Sequence, residues 1–203
     1  MSQPKRIAIF ISGGGSNARV MIDRFQQHPE DGVEVVLLVS NRTGAGGLLM
    51  AAERGIPSLV VKRADWATGE ELLAALSAYR VDLIVLAGFL WLIPGYLVQA
   101  YPNRIVNIHP ALLPKYGGKG MYGRHVHEAV KNAGDLESGI SIHYVNENYD
   151  EGSIIYQAAV RLDPEDSPEK IAERVLRLEH GNYWRIVRDL YDATSGSEVH
   201  RDL

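Results

Sequence analysis

Cysteine is absent from this chain of 203 residues, which excludes a disulfide framework, a thiolate nucleophile and a cysteine-ligated zinc site. Strong charge of either sign is absent too. A formal net charge of −4 argues against bulk attraction to nucleic acid or anionic lipid, so any cationic site has to be local. No stretch approaches the ~20 apolar residues of a membrane span. The start, MSQPKRIAIF, passes from a positive pair straight into a strand-like segment, without the apolar region and cleavage pattern of a signal peptide. These absences predict a cytoplasmic protein. Internal repeats and low-complexity segments are also missing, as is the HExxH of a zinc protease, and the glycine turn ISGGGSN has neither the GxGxxG spacing of a dinucleotide site nor the lysine of a P-loop.

What is present is an ordinary globular composition, 46% hydrophobic and 23% charged, at a length suited to one domain over residues 1–203. Apolar, β-branched runs recur at Arg6 to Ile11, Val33 to Ser40, Ser58 to Val61 and Leu83 to Ala87. Between them, Asn17 to Gln27, Gly46 to Arg54 and Glu70 to Tyr79 carry apolar residues at helical spacing. Such alternation predicts an α/β fold with a Rossmann-like, mostly parallel twisted sheet and flanking helices. The continuous apolarity of LIVLAG after Asp82 marks a central strand buried on both faces. A short helix is expected around Leu97, and a fifth strand over Ile105 to His109, ended by Pro110. Gly139 to Val145 and Ile154 to Val160 flank the polar turn NENYDEG and predict an antiparallel pair. The last helix starts near Ser167, whose hydroxyl precedes a proline at the first helical position, and a frayed tail is expected after Ser195.

Three constellations carry chemistry. In ISGGGSN, consecutive glycines at a strand-to-helix turn let backbone amides approach an anion. Its plainer reading is a tight turn with Ser16 or Asn17 capping the helix. In VNIHPALLPKYGG, Asn107 and His109 lie two apart at the carboxyl end of the fifth strand, so an amide donor and an imidazole face one way, into the expected ligand crevice. An Asn and a His before a proline can also do no more than satisfy a turn. In NENYDEG, Asp150 can orient a histidine and raise its pKa, although Asp-Glu-Gly also makes ordinary turns. His125 and His127 raise a metal alternative, but two residues apart on a nascent helix they do not share a face. The glycine-rich KYGGKGMYG has the look of a lid.

Taken in order, ISGGGSN, VLAGFLWLIP, NIHPALLPKYGG, GISIHYVNENYDEGSII and the terminal LEH resemble the folate-dependent phosphoribosylglycinamide formyltransferases, also called glycinamide ribonucleotide transformylases, over nearly the whole chain. The resemblance implies transfer of the formyl group of 10-formyltetrahydrofolate to the amine of glycinamide ribonucleotide, with no metal, by a monomer or homodimer. It implies a catalytic trio of Asn107, His109 and Asp150, with a protonated His109 helping Asn107 to stabilise the formyl oxygen and His143 in support. Gly15, Ser16, Asn17, Pro110 and Glu179 correspond to the ribonucleotide site, with Glu179 on the glycinamide amine. Leu90, Trp91, Leu92, Ile93 and Val98 correspond to the folate pocket, together with Asn107, Asn146, Glu147 and Asp150. The phosphate-binding half then spans about residues 1–100 and the catalytic, folate-binding half about residues 101–190.

The chain departs from the family pattern in three places. Trp91 stands where many members have arginine, the GGKGMYG loop is longer and leaves Lys119 and Tyr122 without a role, and an arginine at the start of the third helix has no clear counterpart. Formyltetrahydrofolate deformylase and methionyl-tRNA formyltransferase share the trio, but each normally carries a further domain, for which a first strand at residue 6 and an acidic 203-residue chain are not expected to leave room. Sugar-nucleotide formyltransferases share the trio as well. The other readings are a non-catalytic phosphometabolite-binding module and a metal-dependent hydrolase using His109, His143 and Asp150.

Overall fold

The computed structural model describes residues 3–195. The tail expected after Ser195 lies outside the described residues. Seven strands form one sheet in the order β3-β2-β1-β4-β5-β6-β7. They span Lys5–Ile11 (β1), Val33–Ser40 (β2), Ser58–Val60 (β3), Leu83–Leu86 (β4), Ile105–His109 (β5), Glu137–Tyr144 (β6) and Ile154–Arg161 (β7). β1 to β5 are parallel, while β6 runs antiparallel to both β5 and β7. This is the α/β architecture read from the alternation of periods. β4 is central, with every residue buried.

Helices are α1 (Ser16–Gln27), α2 (Gly46–Glu53), α3 (Arg63–Thr68), α4 (Glu70–Ala78), α5 (Gly95–Ala100), α6 (Arg124–Ala133) and α7 (Pro168–Ser195). At the start of α7, the Ser167 hydroxyl accepts the Lys170 N–H at 3.3 Å, so the Ser-Pro-Glu signal describes the cap. α1 starts differently from expectation. Its cap residue is Gly15 at φ 69°, and no side chain caps the helix. The left-handed conformation there favours glycine, which leaves Ser16 and Asn17 inside the first turn. α3 was not legible as a separate helix, because six residues are too few to display a helical period.

Each face of the sheet carries its own apolar layer. One joins Ile7, Ile9 and Ile11 to Ala18 and Met21 of α1, Val130 of α6 and Val175 and Tyr183 of α7. The other joins Ala8 and Phe10 to Trp66, Leu72, Leu76, Phe89, Ile93 and Leu97. The chain leaves β1 toward β2 and β3, then returns to β4 on the other side of β1. At that reversal the connections diverge to opposite faces, leaving a crevice outside the carboxyl ends of β1 and β4.

Candidate active site

A cavity of about 600 Å³ opens at this crevice and runs from the Gly13–Asn17 turn, past the ends of β4 and β5, to the turn after β6. β5 presents Asn107 and His109 on one face, as their alternation requires, and Asn107 pairs in register with His143 of β6. Asp150 comes from the β6–β7 turn, where it adopts φ 56°, a left-handed conformation that aspartate tolerates better than most residues. The return of the chain depends on Gly152, since a Cβ there would lie 1.7 Å from the Tyr144 carbonyl oxygen.

Asp150 is the hub. Its Oδ2 lies 3.5 Å from His109 Nδ1, and its Oδ1 lies 3.5 Å from both His143 Nε2 and Asn107 Nδ2. Oδ2 also accepts the Gly118 N–H at 3.0 Å. Burial pushes this carboxyl up, but the neighbouring His143 and His109 rings and the Gly118 amide together hold it below the ordinary aspartate value. It is therefore an anion at neutral pH.

Backbone carbonyls set both imidazole tautomers. The Tyr116 oxygen accepts from His109 Nε2 at 2.7 Å, and the Tyr144 oxygen accepts from His143 Nδ1 at 2.8 Å. A carbonyl only accepts, so the proton of each neutral ring resides on that nitrogen. His143 Nε2 is then left to receive an Asn107 Nδ2 hydrogen at 3.2 Å. The second amide hydrogen of Asn107 has only the long contact to Asp150, and is the one free to turn to a ligand. Burial lowers the His109 pKa more than Asp150 and the Tyr116 carbonyl raise it. The resting ring is thus neutral, with the Nδ1 lone pair toward Asp150. Only 3% of the residue is exposed to water that could solvate a charge on the ring.

Gly15, Ser16, Asn17, Pro110 and Glu179 all line the cavity. The first-turn amides of α1 lack intrahelical partners, as an anion site requires. The Asn17 side chain, however, is committed elsewhere. Its Nδ2 donates to Glu179 Oε2 at 2.5 Å, so what Asn17 can offer an anion is its backbone. Burial raises the pKa of Glu179, and the Asn17 hydrogen bond opposes the rise. Such a carboxylate is poised to receive a cation or an N–H donor.

Leu90, Trp91, Leu92, Ile93 and Asn146 form the opposite wall. Val98 does not line it, since α5 turns this side chain onto the aromatic layer beneath. Glu147 is also outside, exposed beside Gly95. Several contributors have no signal in residue type: the Tyr116 carbonyl, the Gly118 amide, and the Ser12 hydroxyl that accepts the Leu90 N–H at 2.9 Å. An arginine does open the third helix. Arg63 lies 4.7 Å over the Trp91 ring, which rests edge-on against Trp66.

The two histidines of the metal alternative do not join the trio. His125 is exposed and meets the Tyr122 ring, whereas His127 is buried, with Nδ1 unpartnered. Among the described residues, no three His, Asp or Glu side chains converge so as to hold a metal ion, and none of the helices is long and apolar enough to cross a membrane.

The formyl transferase family model matches residues 5–187. The chain is 49% identical to the chloroplastic phosphoribosylglycinamide formyltransferase of Arabidopsis thaliana over 90% of its own length, but spans only 64% of that relative. It is 34% identical to the phosphoribosylglycinamide formyltransferase of Bacillus subtilis over 96% of its length and 98% of that protein's. The crystal structure of glycinamide ribonucleotide transformylase 1 from Symbiobacterium toebii superposes with a TM-score of 0.84 at 34% identity, covering 93% of this chain and 88% of that one. A family match over residues 5–187, identity at this level over most of the chain and a superposing fold leave one assignment: the chain belongs to the formyl transferase family.

Proposed function

We propose that the protein transfers the formyl group of 10-formyltetrahydrofolate to the amine of N1-(5-phosphoribosyl)glycinamide, giving N2-formyl-N1-(5-phosphoribosyl)glycinamide and tetrahydrofolate, a step of de novo purine synthesis. One observation supports this above all. Asn107, His109 and Asp150 meet around one point, between a phosphate-ready turn with a half-buried carboxylate and an apolar, aromatic wall.

In this reading the first-turn amides of α1 hold the phosphate, and Glu179 accepts an N–H of the glycinamide amine, orienting its lone pair toward the formyl carbon. The apolar wall of Leu90, Leu92 and Ile93 takes the pterin end of the folate. Arg63, stacked on Trp91 at the rim, supplies a cation for the folate's carboxylate tail. As the amine attacks, a C–N bond forms and the formyl C=O becomes a C–O⁻. The second Asn107 hydrogen leaves its long contact with Asp150 for this oxygen, a donor of the kind worth about 10²–10³ in rate. The amine's surplus proton passes to His109 Nδ1, whose cationic form Asp150 stabilises, and then to the departing folate nitrogen as the C–N10 bond breaks and the C=O re-forms. Each chain holds a whole cavity, so a monomer or a homodimer serves, and the cytoplasm is the proposed place of action.

The test is a formyl-transfer assay comparing glycinamide ribonucleotide, simpler amines and water as acceptors. Formylated ribonucleotide should be the dominant product. Hydrolysis to formate at a comparable rate would assign a deformylase, and binding without turnover would leave only a binding module.

A further inference from the structure

The strap between β5 and α6 holds a feature that the proposed chemistry leaves unused. Among the described residues, Lys119 is the only lysine or arginine lining the cavity, where it faces a site whose other formal charges are the carboxylates of Asp150 and Glu179. Its ammonium makes no ion pair or hydrogen bond with the described residues, and the residue is exposed. A cavity of net negative lining repels an anionic ligand unless this cation takes part.

Topology decides which ligand Lys119 meets. Tyr116 and Val130, on either side of it in sequence, pack into the apolar layer shared with α1 and α7. α6 itself packs on α7. The strap therefore lies on the side of the anion-ready turn and Glu179, whereas Trp91 and Arg63 lie on the other face of the sheet. Lys119 sits between Gly118 at φ 94° and Gly120 at φ 91°, conformations that let the backbone bend sharply and set the side chain over the cavity. The adjoining amide, Gly118 N–H, is fixed to Asp150 at 3.0 Å, which anchors the strap at the reacting centre.

We propose that Lys119 is a substrate-binding residue that supplies the counter-charge for the phosphate of the phosphorylated amine substrate, completing in three dimensions a site for which the α1 turn provides only uncharged amides. This rests on the formyl-transfer reading, and the experiment separates the two. Calorimetric titration of the full chain with glycinamide ribonucleotide comes first, because a wild type that does not bind it overturns both. Given binding, Lys119→Ala should raise Kd and KM for the ribonucleotide about 10- to 100-fold, the usual worth of a charge-assisted contact. kcat and the KM for 10-formyltetrahydrofolate should stay within about threefold, and Lys119→Arg should restore most of the affinity. With the dephosphorylated riboside as probe, wild type and Lys119→Ala should bind alike. Unchanged ribonucleotide affinity in Lys119→Ala, or an equal loss toward the riboside, overturns the assignment while leaving the formyl-transfer reading intact. Lys119 is exposed, so loss of folding does not confuse the result.

Discussion

At the scale of single residues, the proposed chemistry depends on protons held where backbone carbonyls put them. His109 keeps its proton on Nε2, where it is donated to the Tyr116 oxygen, and in the proposed reaction offers Nδ1. Replacing His109 by alanine or Asp150 by asparagine should lower kcat by about 10²–10⁴ and leave ribonucleotide affinity within a few-fold. Near-normal turnover in either variant removes that residue from the mechanism. Because burial lowers the His109 pKa, the acid limb of kcat/KM should fall below the ordinary imidazole range of about 6.5. Asp150 opposes that shift, so the residual activity of Asp150→Asn should have its acid limb at still lower pH; a limb moved upward contradicts this coupling. Ser16→Asp should weaken ribonucleotide binding at least about tenfold, by placing a carboxylate beside the amides of the α1 turn. Equal affinity moves the phosphate elsewhere.

Elements matter through what they bring together. α7 lays Glu179 and Tyr183 one turn apart against the end of the sheet. The Tyr183 hydroxyl reaches the Leu86 and Val106 carbonyls at 2.9 and 3.2 Å, across the paired ends of β4 and β5. Removing it as Tyr183→Phe leaves both oxygens without this donor inside the core and should cost about 1–3 kcal/mol, measured by urea unfolding. A loss below about 0.3 kcal/mol would show that the carbonyls find other partners. Much at this scale was legible beforehand. Alternation in VNIHP foretold that Asn107 and His109 share a face, and apolarity foretold the central β4, because both follow from local period and burial. The position of Val98 was not legible, since a short helix such as α5 gives no sign of which side meets the cavity. Arg63 went unassigned for a related reason: α3 is too brief to mark its own start.

For the whole molecule, the response to pH sums over distant groups. Burial lowers the pKa of His109, His127 and His180, so each contributes stability fully above about pH 6.5 and loses it as pH falls through its lowered folded value. Asp150, also lowered, adds a loss further into acid. Glu179 runs the other way, its raised carboxyl being relieved by acid, but it is one group against these. The urea midpoint should therefore be level from pH 9 to 7 and decline below about 6.5; a flat midpoint down to about pH 5 contradicts the buried, neutral state of these rings. By itself the sequence determined the α/β class, the strands and most helices and the absence of cysteine chemistry, and it singled out the proposed trio, because periodicity, composition and motif order are properties of the chain. Only the tertiary structure decided that Asn17 serves Glu179, 162 residues away, that burial lowers the His109 pKa, and that Lys119 is, among the described residues, the one lysine or arginine lining the cavity. Desolvation and the direction of a hydrogen bond arise from what surrounds a group in space, and residue order does not record those surroundings.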